Sequence, residues 1–114
     1  MLYYSENSSD SGLDRDKVSA ALESVMSGFT GRNRVLILPP DITRAHSGAG
    51  MITELLWEKL GGRVTDILPA LGTHMPMTTE EISKMYGHTP HGLFREHRWR
   101  TDIEELGRVP SSFV

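Results

Sequence analysis

Two short stretches hold the residue types that perform acid–base and anion chemistry. The first, Pro40-Asp41-Ile42-Thr43-Arg44-Ala45-His46-Ser47-Gly48, supplies a carboxylate, a hydroxyl, a guanidinium and an imidazole in close succession. It runs into an expected helix start, where unpaired backbone N–H groups and the helix dipole favour an anion. Arg44 adds a bidentate grip suited to a carboxylate or phosphate. The same residues also suit a capped turn with solvated charges, and short motifs leave both readings open. No Gly-Lys-Ser/Thr is present, so this is not a Walker loop. The second stretch, Gly72-Thr73-His74-Met75-Pro76-Met77, sets His74 directly after a Gly-Thr pair. Imidazole exchanges protons near neutral pH, which makes His74 a candidate general acid/base. The alternative is a hydrogen-bonded structural histidine.

The elements needed to position these loops follow from the apolar spacing. Val18, Leu22, Val25, Met26 and Phe29 share one face of a 3.6-residue period, predicting a helix over 14–27 with Asp14 as N-cap and Gly28 as stop. The continuous aliphatic run at 34–38 predicts a strand buried on both faces, ended by Pro39-Pro40. A second helix is expected from Ala49 to just before Gly61, with Ile52, Leu55, Leu56 and Leu60 buried and Ser47 as N-cap. A second strand fits 64–68. Thr78 and Glu81 form a capping box for a third helix, with Ile82, Met85 and Tyr86 inward and Gly87 as stop. Alternating helices and strands with short links imply an α/β fold: a Rossmann-like parallel sheet with helices packed on it. In such sheets ligands bind beyond the carboxyl ends of the strands, where both loops fall. Residues 1–13 are expected to be a polar arm, with Leu2, Tyr3 and Tyr4 a short strand at most, and 14–114 the α/β part. In the tail, Leu93, Phe94 and Trp99 are the expected anchors.

Composition narrows the classes. Of 114 residues, 12 are Lys or Arg and 15 Asp or Glu, a formal net charge of −3, which disfavours wholesale nucleic-acid binding. With no cysteine, disulfides, thiol nucleophiles and thiolate metal sites are excluded, in keeping with a cytoplasmic setting. No apolar run approaches the ~20 residues of a spanning helix, so no membrane partner is expected. His88, His91 and His97 do not suggest a metal site: Pro90 interrupts the first pair, and too few ligands are nearby. The basic cluster Arg95, His97, Arg98 and Arg100 around Trp99 reads as a solvated face or as a contact with a further segment.

Pro40-Asp41-Ile42-Thr43-Arg44 after an aliphatic strand, followed by Ala70-Leu71-Gly72-Thr73-His74-Met75-Pro76-Met77-Thr78 ahead of Glu80-Glu81, resembles the N-terminal part of the lactate racemase family. The resemblance covers about residues 33–87. These enzymes racemise or epimerise 2-hydroxy acids with a nickel-pincer nucleotide, a pyridinium-3,5-bisthiocarboxylic acid mononucleotide carrying nickel. The resemblance implies that His74 is one of two histidines exchanging the substrate hydroxyl proton while hydride moves between the α-carbon and the cofactor. It implies that Arg44 holds the substrate carboxylate and that Asp41 and Thr43 line the cofactor or anion pocket. Many family members carry Arg where this chain has Met75, which points to a different substrate. Family members are several times longer, and their second catalytic histidine, cofactor-bonding lysine and nickel-ligating histidine lie in segments beyond residue 114. The expectation is therefore an N-terminal fragment that by itself neither binds the cofactor nor racemises. It would work with the remainder of the racemase chain or a separate C-terminal chain, and self-association of exposed apolar surface is a further expectation. The competing reading is a carboxylate- or phosphate-binding α/β module without catalysis.

Overall fold

The computed structural model describes residues 4–7, 12–29 and 31–113. Its helices are α1 (Arg15–Met26), α2 (Ala49–Leu60) and α3 (Thr79–Tyr86), and its strands are β1 (Val35–Ile37) and β2 (Val64–Ile67). The strands pair in parallel around the α2 crossover, which makes the chain a Rossmann-like α/β fold. Much of the expected arm, together with Leu2 and Tyr3, lies outside the described residues; Tyr4 is exposed and belongs to no strand.

The helix ends follow from local chemistry. The Asp14 carboxylate accepts from the Lys17 backbone N–H at 2.8 Å and starts α1. Thr78 and Glu81 close a reciprocal capping box on α3, satisfying two N–H groups that the first turn leaves unpaired. At α2 the expectation needs correcting. A 3₁₀ segment, Ile42–Ser47, fills what the sequence suggested was loop, and Gly48 is the N-cap with φ of 76°. Ser47 still contributes, since its Oγ accepts from the Ala49 N–H at 3.2 Å.

Ile67, Val64 and Ile37 form the core, with Leu56, Trp57, Leu60, Leu93 and Phe94 packed on it. Two expectations about burial fail. Along β1, Ile37 and Pro39 are buried, whereas Leu36 and Leu38 are 53% and 63% exposed. The strand is buried on one face, because among the described residues the helices cover only one side of the sheet. On α2, Ile52 is exposed, and Thr53 and Glu54 are buried instead. Their polar atoms are satisfied: the Thr53 hydroxyl donates to the Ala49 carbonyl at 2.8 Å, and Glu54 is held by groups from α1 and from the end of α3.

Glu54 joins the three helices. Arg15 reaches its carboxylate at 3.0 Å and the His88 backbone N–H donates to it at 2.8 Å. The His88 N–H is the largest influence on this carboxyl. It outweighs burial, and with Arg15 it holds Glu54 below the usual glutamate range.

Candidate functional site

Parallel pairing delivers the two chemical loops to one place. The ladder continues past the strands: the Leu68 N–H donates to the Ile37 carbonyl at 2.9 Å and the Ala70 N–H to the Pro39 carbonyl at 2.8 Å. Pro40 and Ala70 form a further parallel bridge. The next residue on one side is Asp41, and the loop on the other side turns back through the His74 N–H, which bonds the Leu71 carbonyl at 3.0 Å. His74 Nδ1 then lies 2.6 Å from Asp41 Oδ2.

Asp41 is 4% exposed and its carboxylate is fully engaged. Oδ1 accepts from the Thr43 N–H at 3.1 Å and from the Thr43 hydroxyl at 2.5 Å, while Oδ2 faces His74. Burial would raise the carboxyl's pKa, but the hydrogen bonds from Thr43 and His74 offset it and hold Asp41 below the usual aspartate range. Asp41 is therefore ionised at neutral pH. An ionised carboxylate only accepts hydrogen bonds, so the proton between the two groups sits on His74 Nδ1. That fixes the neutral tautomer and leaves the Nε2 lone pair free. The ring is 55% exposed, and Nε2 has no partner among the described residues.

Arg44 is exposed, on the 3₁₀ segment that Asp41 caps. Its backbone N–H donates to the Asp41 carbonyl at 3.0 Å, and its guanidinium meets no carboxylate among the described residues. His46 is likewise exposed. Sequence reasoning counted Tyr86 only as a core residue, but its hydroxyl donates to the Pro40 carbonyl and so pins the residue before Asp41. Burial, and then the charge of Asp41, raise the Tyr86 pKa and keep the phenol protonated as a donor. An aromatic residue in a core stripe gave no signal of this role; a buried phenol's need for an acceptor is the clue that was available.

A model of the lactate racemase N-terminal domain matches residues 6–111. The chain belongs to this family. No curated protein and no solved structure matches it. The match reaches well beyond the two motifs and takes in the tail that was hardest to read from sequence.

The lactate racemase family implies a nickel-pincer nucleotide in the full enzyme. The described residues contain no group of three or more side chains able to hold a metal ion. His88 leans toward Glu54, and His91 Nε2 lies 3.0 Å from the Ser83 hydroxyl. Asp41 and Thr43 are bound to each other and to His74. No helix among the described residues is long and apolar enough to cross a membrane.

Two buried carboxylates held below their usual range give this lactate racemase-type domain an acid limit. For a group whose folded pKa lies below its unfolded value, the stabilisation is complete above the unfolded pKa and is lost as pH falls through the folded one. Asp41 and Glu54 both meet that condition. Unfolding free energy should thus stay level above about pH 5 and fall steeply below about pH 4. Urea melts across this range measure it, and Glu54→Gln should flatten the slope. A wild-type slope equal to that of the variant would contradict this account.

Proposed function

We propose that this domain contributes one half of the active site of a 2-hydroxyacid racemase or epimerase, with His74 as a proton-transferring base and Arg44 as the carboxylate holder. The observation that carries this reading is the 2.6 Å contact between His74 Nδ1 and the buried Asp41 carboxylate. A surface histidine has no need of a buried, ionised partner, whereas a base must present one nitrogen in a fixed tautomer.

The substrate is an anion with an adjacent alcohol. Arg44 grips the carboxylate through paired N–H donors and sets the α-carbon near His74. His74 Nε2 takes the hydroxyl proton of one enantiomer as hydride leaves the α-carbon for an acceptor outside this domain, and a second histidine of the full enzyme supplies the proton when hydride returns to the other face. Asp41 offsets the charge of the imidazolium that forms. Thr43 holds Asp41 in place through two hydrogen bonds, and the Tyr86 bond to Pro40 fixes the start of the loop. Asp41 and Thr43 thus position His74. In the full enzyme the family's nickel-pincer nucleotide would supply the hydride acceptor.

Incubating the full enzyme with a single enantiomer of a short 2-hydroxy acid, followed by chiral chromatography, tests this reading. Conversion to the opposite configuration is the expected result. A panel of 2-hydroxy acids left unchanged by the cofactor-loaded enzyme would overturn it.

A further inference from the structure

A third chain segment arrives at the same end of the sheet. Phe94 bridges Ile67 in parallel on the edge of β2 away from β1, and the Arg95 N–H donates to the Ile67 carbonyl at 2.8 Å. The Arg95 guanidinium anchors this contact on Asp66 at 2.6 Å. Because the chain here runs in the direction of β2, the residues after Arg95 emerge beside the loop that follows β2. Residues 96–101 and His74 line one cleft of about 280 Å³.

The chemistry of that cleft differs from the chemistry around Arg44. Arg98 and Arg100 line it, with one carboxylate, Glu96. Arg98 has only distant ion pairs, 3.7 Å to Glu96 and 3.8 Å to Asp102. The Arg100 guanidinium stacks 4.0 Å over the Trp99 ring and meets no carboxylate among the described residues. His97 Nδ1 is buried without a hydrogen-bond partner, a costly state that an entering oxygen could relieve. Met75, 84% exposed, lines the cleft without adding charge. His74 lines this cleft together with Arg98 and Arg100, and Arg44 is not among the lining residues, so these two arginines are cationic groups distinct from Arg44.

We propose that this cleft binds a second anionic group, so that the ligand met by His74 carries an anion at each end. This rests on the reading of His74 and Arg44 given above. The second group has the chemistry of a carboxylate or a phosphate: the far carboxylate of a 2-hydroxy dicarboxylic acid, or a separate phosphate. In either case the recognising groups are Arg98 and Arg100, and Glu96, which can only accept, favours a ligand that offers it a hydroxyl donor.

Binding to the 114-residue chain is the test. Trp99 stands in the cleft, so a Trp57→Phe background isolates its fluorescence, and amide NMR shifts locate each ligand. Lactate, a four-carbon 2-hydroxy dicarboxylate and inorganic phosphate are titrated in turn at fixed ionic strength. The dicarboxylate should bind at least about tenfold more tightly than lactate, the usual gain from one charge-assisted contact. Arg98→Ser with Arg100→Ser should remove that advantage and leave lactate binding unchanged. If phosphate alone shifts Trp99 and the double variant abolishes that shift, the anion site stands and a phosphate group is its ligand. Equal binding of lactate and dicarboxylate, with no effect of the double variant and no phosphate shift at Trp99, overturns this proposal but leaves the role of Arg44 intact. If no anion binds at all, this proposal falls, and the role of Arg44 is decided by the chiral assay on the full enzyme.

Discussion

His74→Ala is expected to lower turnover of the full enzyme by about 10²- to 10⁴-fold, the range that a positioned general base contributes. Affinity for the hydroxy acid should change little, because the proposed carboxylate grip is that of Arg44. Stability should also hold, since the His74 ring is more than half exposed and supports no core contact. A companion variant separates positioning from proton transfer. Asp41→Asn keeps the shape of the side chain but replaces an obligate acceptor with a group that can also donate. The amide can place a hydrogen on the Nδ1 side and drive the ring proton to Nε2, the wrong tautomer for a base. Its turnover should therefore fall while its substrate affinity stays near the wild-type value. Steady-state kinetics with chiral detection reads both variants. Wild-type turnover in His74→Ala would remove the residue from the mechanism.

The second large effect is structural. A glycine inside a helix usually gains stability on replacement by alanine, by about 1 kcal/mol. Gly50 in α2 should do the opposite. A Cβ there would lie 1.9 Å from the Met85 carbonyl oxygen and 2.9 Å from its carbon, both backbone atoms that cannot rotate away. The close approach of α2 and α3 depends on the missing methyl. Gly50→Ala should cost at least about 3 kcal/mol, the upper part of the overpacking range. That is a large share of the 5–15 kcal/mol typical of a folded domain. Gly62→Ala is the control, since a Cβ at that position meets nothing within 4 Å. Denaturant melts should show a collapse in the first and little change in the second. An unchanged midpoint for Gly50→Ala would mean that the two helices are not in this contact.

These expectations show where sequence is informative. Asp14, Thr78 with Glu81, and Gly87 marked the helix limits because caps act over three or four residues, and that range is visible in the chain. The parallel sheet followed from the order of elements. Burial was harder to read. Leu36 and Leu38 look as buried as Ile37 in sequence, because composition cannot say how many sides of a sheet are covered. Thr53 and Glu54 look like surface residues; Thr53 is satisfied within its own helix by the Ala49 carbonyl, and Glu54 is buried because Arg15 and His88 supply partners from other parts of the chain. The site was legible as residue types at two strand ends. The pairing of Asp41 with His74 was not, since it spans 33 positions and depends on strand register. The cleft beside them was hidden for the same reason: Arg98 and Arg100 read as a solvated charge run until the Phe94 bridge shows where their segment emerges.

The Asp41–His74 contact also ties reactivity to correct assembly. Neither residue is a prepared base when the chain leaves the ribosome, and Asp41 emerges well before its partner. The imidazole acquires a fixed tautomer only when β1 and β2 have paired in the right register, because a slip of one residue would turn the two loops to opposite faces. Helix content can be complete in a misassembled chain that still has no oriented histidine. The protonation pattern of a single ring is thus a stricter gauge of correct folding than circular dichroism, and the chain carries no such base until its fold has been made.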